Sequence, residues 1–180
     1  MEKIEFEGEI YYLINNKFVD SSFCSVDKST NEKLCELYYQ NMDFGKMSKE
    51  QLLEFIKKTK ENEQFALTKK ACSVALEKFS ADENFIKIVL PIQTSCLRSL
   101  GMPNLALDVA QKYTDLVPNC DSYALWISVA AACCDQKDFK GAITYLGLAK
   151  QKKRGHMFDE ESEFSAVEER IKKALNLESL

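Results

Sequence analysis

Two alanine-rich apolar segments of helical length, joined by a short polar turn, occupy residues 121–153 and restrict this chain to few folds. The turn reads Asp-Gln-Lys-Asp at positions 135–138. Small residues at Ala130, Ala142 and Ala149 let two helices approach closely, because the distance between helix axes depends on the side chains at the crossing. The space around that crossing can be filled by three aromatic side chains, Trp126, Phe139 and Tyr145. The segment therefore predicts an antiparallel helical hairpin.

Alanines at a regular spacing indicate that the hairpin is repeated. Ala71, Ala106 and Ala142 are separated by 35 and 36 residues, and each lies within an apolar helical pattern. A single hairpin cannot bury its apolar face alone, whereas stacked neighbours bury a continuous core. The spacing predicts about three hairpins between residues 48 and 153.

The last hairpin resembles a tetratricopeptide repeat. Trp126 occupies the large position and Ala130 the small position of the first helix, and the second helix carries Phe139, Ala142 and Ala149. A period of 35 residues also fits pentatricopeptide repeats, but Trp126 together with Ala142 and Ala149 favours the tetratricopeptide form. This resemblance implies a stack of antiparallel helix pairs.

The N-terminal residues follow a different period. Apolar residues alternate with polar or second-face residues at Ile4, Phe6, Ile10, Tyr12 and Ile14, which is the period of a strand. Residues 7–8 and 15–16 are candidates for two-residue turns, because glycine and asparagine tolerate positive φ. We expect a two- or three-stranded β-ribbon that ends near residues 17–19 and packs against helices.

Capping residues mark the expected starts of the helices. Ser29 with Glu32 and Ser48 with Gln51 are capping boxes, and Asp82 can cap a further helix. The first of these helices would carry its apolar face on three residues, Leu34, Leu37 and Tyr38. Asp159 can cap the last helix.

The middle hairpin contains residues that interrupt or end helices. Leu90 takes the place of the large aromatic there, and the adjacent Pro91 predicts a kink or a restart of the helix. Gly101 is expected just beyond the end of that helix, and Pro103 begins the next one. The chain is thus predicted to be all-α, with a β-ribbon at 1–28 and a helical-repeat domain at 29–180. That domain divides into repeats at about 48–153 and a capping helix at about 160–177.

Net charge and the distribution of apolar residues argue against two classes of partner, nucleic acids and membranes. The net charge of −4 argues against a general nucleic-acid binder, because phosphate neutralisation needs an excess of Lys and Arg. No run of 18 apolar residues occurs, so no membrane partner is expected. The N-terminus lacks the apolar region of a secretory signal, and we expect a cytoplasmic protein.

The seven cysteines carry no metal-binding spacing. Their number is odd and no Cys-x-x-Cys pair occurs, so they are expected to be small buried apolar residues in a reducing compartment. The adjacent Cys133 and Cys134 leave a redox role open. The single histidine, His156, has no cysteine within ten residues, and we expect no metal and no cofactor. No catalytic set and no glycine-rich phosphate loop occurs, so we expect no enzymatic activity.

The resemblance implies a partner site on the concave surface lined by the first helices. In the middle unit that surface would present Ile88, Pro91, Ser95, Arg98 and Ser99, and in the last unit Ala124, Ile127, Ala131, Cys134 and Asp135. The expected partner-binding residues among them are Ser95, Arg98, Ser99, Ile127, Ala131 and Asp135.

The sequence thus predicts a non-enzymatic module or adaptor that binds a protein or peptide partner. Homo-oligomerisation stays open. Two alternatives are an RNA-binding helical repeat and an enzyme of unrecognised type. Residues 150–154 form the most basic cluster, which suits either the C-terminal end of a helix or an acidic partner.

Overall fold

A computed structural model describes residues 2–15, 17–39, 42–152 and 158–176. It is mostly helical (72%) and carries a small antiparallel sheet at the N-terminus. The strands are β1 (Glu2–Phe6), β2 (Glu9–Ile14) and β3 (Lys17–Val19). Over the described residues the helices are α1 (Lys28–Tyr39), α2 (Lys49–Glu61), α3 (Phe65–Lys78), α4 (Glu83–Ser99), α5 (Pro103–Leu116), α6 (Tyr123–Asp135), α7 (Phe139–Lys152) and α8 (Phe158–Leu175). The predicted fold class is confirmed.

The three strands form a meander in the order β1-β2-β3. Glu7 and Gly8 both have positive φ, as a two-residue hairpin turn requires, and this turn pairs Phe6 with Glu9. The turn therefore places Ile4 opposite Tyr11 rather than opposite Ile10 or Tyr12. Ile10, Tyr12 and Ile14 therefore lie on the face of the sheet opposite to Ile4 and Phe6.

The buried face of the sheet follows from that register. Tyr11 in β2 and Phe18 in β3 are buried, whereas Ile10 and Ile14 are 42% and 37% exposed. Both buried residues lie on the same face as Ile4, because directly paired residues point to one side of a sheet. The predicted turn at Asn15 has positive φ, and Asn16 lies outside the described residues.

Helix α1 begins before the predicted capping box. Asp27 accepts hydrogen bonds from the backbone N–H and the hydroxyl of Thr30, so Asp27 is the cap and Ser29 lies inside the helix. The capping box at Ser29 is therefore wrong. Its predicted apolar face also changes, because Leu37 is exposed while the buried residues of α1 are Leu34, Cys35 and Tyr39.

The predicted start of α2 is confirmed. Ser48 and Gln51 form a reciprocal capping box, with the Gln51 N–H 3.2 Å from the Ser48 hydroxyl and the Ser48 N–H 2.8 Å from the Gln51 amide oxygen. A three-residue turn then leads to α3, and α2 and α3 pack on each other. Ala71 is fully buried in α3.

The ends of α4 also follow the sequence. The Asp82 carboxylate accepts the Phe85 N–H at 3.0 Å and caps the start. Gly101, with φ +71, closes the end in a Schellman motif, since the Met102 N–H bonds the Leu97 carbonyl and the Gly101 N–H bonds that of Arg98.

Pro91 does not restart α4, which is continuous from Glu83 to Ser99. Nearby, the Thr94 hydroxyl donates to the Pro91 and Leu90 carbonyl oxygens. The buried side chains of α4 lie on both sides of Pro91, so tertiary packing outweighs the lost backbone hydrogen bond. Of the two alternatives that we predicted there, the restart is wrong, and the kink stays a prediction.

Helix α6 is the centre of the C-terminal half. It packs against α4, α5, α7 and α8, and α8 packs against both α6 and α7. The repeat-defining Ala106 and Ala142 are both buried. The chain divides into two compact units, Met1–Lys78 and Phe79–Leu180.

The last helix, α8, begins at Phe158, one residue before the cap expected at Asp159. Asp159 therefore lies within the helix by its backbone and does not precede it. The Asp159 side chain itself lies outside the described residues.

Candidate functional site

One side of α4 carries residues that are exposed or half-buried. We define the α4 face as Ile88, Pro91, Ser95, Arg98 and Ser99. The first four recur at intervals of three and four residues, and Ser99 lies four residues after Ser95, so all five share one side of the helix. Ile88 and Ser99 are exposed, and the three residues between them are half-buried. The α4 face is therefore accessible to a partner, while the opposite side of the helix is in the core.

Two residues predicted for the partner site are paired with each other. The Arg98 Nε atom lies 2.8 Å from Oδ2 of Asp135, the last residue of α6. The other oxygen of Asp135 lies 2.7 Å from an Nη atom of Arg170 in α8. One carboxylate thus bridges two guanidinium groups and links three helices. We call Arg98, Asp135 and Arg170 the charge triad.

The charge triad is only partly shielded from water. Its side chains are 21%, 27% and 42% exposed for Arg98, Asp135 and Arg170. Ion pairs at such exposure are worth about 0.2–1 kcal/mol each. The triad therefore stabilises the docking of α4, α6 and α8 modestly while its charges stay available to solvent.

Arg170 was not predicted from the sequence. Arg98, Asp135 and Arg170 are separated by 37 and 35 residues, which is close to the repeat spacing. Continuing the repeat register from Asp135 into the last helix would have placed Arg170 at an equivalent position. The spacing of 35 residues is visible in the sequence, but it indicates Arg170 only if α8 is treated as a further helix of the repeat.

A shallow depression of about 420 Å³ lies beside the charge triad. Its lining consists of Arg98, Ser99, Gly101, Pro103 and Asp135. The depression opens at the turn between α4 and α5, so it continues the α4 face past the end of the helix. Ser99 and Arg98 belong to both surfaces.

Two other predicted partner-binding residues are not accessible. Ile127 and Ala131 are 1% and 3% exposed, and they belong to one buried cluster with Phe164, Val167 and Ile171 of α8. The capping helix covers the surface that the repeat register assigned to a partner. We therefore exclude Ile127 and Ala131 from the candidate site.

Further residues predicted for the surface of the last unit have mixed exposure. Cys134 belongs to the same buried cluster, whereas Ala124 is half-buried. Of this part of the predicted surface, Asp135 is the residue that reaches the candidate site.

Six of the seven cysteines are buried, and Cys24 is exposed. Burial raises the pKa of Cys133 to about 11 and also raises the pKa of Cys134. A raised pKa suppresses the thiolate, which is the nucleophilic and redox-reactive form. The environment of this adjacent pair therefore favours packing over reactivity.

The basic cluster at the end of α7 is partly engaged in ion pairs. Lys152 lies 2.7 Å from the Asp121 carboxylate, and Lys150 lies 3.7 Å from Glu168. Lys153, Arg154 and the loop residue His156 lie outside the described residues. The two described lysines of this cluster stabilise the contacts of their own unit.

No group of three or more potential metal-ligating side chains occurs among the described residues. Within the same residues, every helix is too short or too polar to cross a bilayer. Comparison with protein-family models and with curated proteins finds no match to this chain.

Proposed function

We propose that this protein is a non-enzymatic interaction module, similar in organisation to tetratricopeptide repeats, that binds a partner protein on the α4 face. The observation that carries the proposal is the composition of that face. It combines the 45% exposed Ile88 with the half-buried Ser95 and Arg98 on one rigid helix.

Physical reasons favour a protein partner. An exposed isoleucine offers apolar surface to a partner, and arginine is enriched among the residues that contribute most to binding at protein interfaces. The α4 helix is held on its other side by buried residues, so little conformational entropy is lost when a partner binds. These features favour recognition of an extended or helical segment over catalysis.

The test begins with capture of partners from native lysate by the full chain, followed by mass spectrometry. Arg98→Glu is then compared with Lys140→Glu, an equal charge reversal at an exposed site on α7. We expect the first variant to lose the captured partner and the second to retain it, with circular dichroism unchanged in both. Equal retention by both variants would contradict the proposed site.

RNA binding is the second candidate, and the cluster at 150–154 motivates it. Unspecific phosphate contacts should weaken steeply between about 50 and 200 mM salt. Sequence-selective RNA binding that resists salt and disappears when Lys152, Lys153 and Arg154 are neutralised would reverse the ranking of the two functions.

A further inference from the structure

The charge triad has an excess of one positive charge. Two guanidinium groups share the single carboxylate of Asp135, and Arg98 uses only its Nε atom for this contact. The hydrogen bond that the structure shows from the Arg98 side chain runs from Nε to Oδ2 of Asp135. A guanidinium group presents five N–H donors, so Arg98 can bind a second acceptor without releasing Asp135.

The excess of one positive charge on the triad is best matched by a ligand group with one negative charge. A single carboxylate neutralises the triad, whereas a doubly charged phosphate would leave a net negative charge beside Asp135. Carboxylate also matches the planar fork of the guanidinium group in a bidentate contact. The charge balance therefore favours a carboxylate over a phosphate.

Apolar surface lies on both sides of Arg98 along the chain. Ile88 precedes it by ten residues of α4, about 15 Å at the helical rise per residue. In the sequence, Met102 and Leu105 stand on either side of Pro103, which lines the depression, and they are 41% and 44% exposed. A bound segment can thus make apolar contacts before and after its carboxylate, which indicates a side chain within a segment rather than a chain terminus.

We propose that the charge triad binds the carboxylate of an internal Glu or Asp in a partner segment, with an apolar residue of that segment on Ile88. An extended chain advances about 3.3 Å per residue, so the apolar residue lies about four or five positions from the acidic one. This inference rests on the proposed function and specifies the chemistry of the partner.

The test uses capped peptides and the ¹⁵N-labelled full chain. The probe is Ac-Gly-Leu-Ser-Gly-Ser-Glu-Ser-Leu-Gly-NH₂, compared with the same peptide carrying Gln in place of Glu. At millimolar concentration we expect the Glu peptide to shift the Arg98 Nε–H resonance and the amide of Ser99. The Gln peptide should bind about tenfold more weakly than the Glu peptide, and added salt should weaken the binding of the Glu peptide.

Matched variants and peptides separate the outcomes. Arg98→Gln should abolish the preference for Glu, whereas Lys140→Gln should preserve it. Absence of binding, or equal binding of the Glu and Gln peptides, would overturn the proposal. The proposal would also be overturned if a peptide with phosphoserine in place of Glu, or the Gln peptide with a free C-terminus, bound more strongly than the capped Glu peptide.

These results are distinguishable from failure of the proposed function. If Arg98→Glu abolishes partner capture while the Glu and Gln peptides bind equally, the α4 face remains the binding site and the carboxylate assignment is wrong. If partner capture ignores Arg98 altogether, the proposed function fails first.

Discussion

Replacing Ala142 with leucine tests how closely α6 and α7 pack. Ala142 is fully buried in the cluster that joins α6, α7 and α8. Three added carbon atoms must displace neighbours that are already in contact, and overpacking of this kind costs about 1–3 kcal/mol of unfolding free energy. Urea slopes for small proteins are about 1–3 kcal/mol per M, so the midpoint should fall by roughly 1 M.

The single tryptophan makes this measurement specific to one unit. Trp126 packs against the same cluster and stacks on Tyr145 at 5.6 Å between ring centroids, so its fluorescence reports unfolding of the C-terminal unit. Lys140→Ala is the control, because Lys140 is exposed two positions away. A midpoint for Ala142→Leu equal to that of Lys140→Ala would refute the close crossing.

Four further predictions concern a turn, a helix cap, the labelling of the thiols and the pKa of one thiol. Gly101→Ala should cost about 1–2 kcal/mol in urea unfolding, since φ is +71 although no atom lies within 4 Å of an added Cβ. Ser48→Ala should cost about 1 kcal/mol, because the capping box is lost. A maleimide should label one native thiol, Cys24, and seven after unfolding. Burial raises the pKa of Cys35 to about 12, so the unfolded thiol ionises first and the urea midpoint should fall as pH rises above about 9; a midpoint constant to pH 11 would contradict this.

Local chemistry accounts for the features that the sequence predicted well. Ser48 and Asp82 satisfy backbone N–H groups within three residues of themselves, so their role needs no knowledge of the tertiary fold. Gly101 ends α4 for an equally local reason, its positive φ. The start of α1 was predicted wrongly because Asp27 and Ser29 are both good caps and lie two residues apart.

Non-local contacts account for the errors. Ile10 and Ile14 alternate as a strand should, but α1 packs against the sheet on the other face, where Phe18 contacts Tyr38. Ile127 and Ala131 were assigned to a binding surface because the repeat register stops at α7, whereas α8 continues the stack and covers them. Arg170 was not predicted because it lies in α8, beyond the end of that repeat register.

Site-specific photo-crosslinking tests the central claim, which is that a partner protein binds the α4 face. A photoreactive amino acid replaces Ser99 in one variant and Ile143, an exposed residue of α7, in another. After irradiation in native lysate, we expect Ser99 to crosslink the protein whose capture depends on Arg98, and Ile143 to leave it unlinked. Crosslinking of that protein from Ile143 alone, or recovery of RNA instead of protein at Ser99, would contradict the claim.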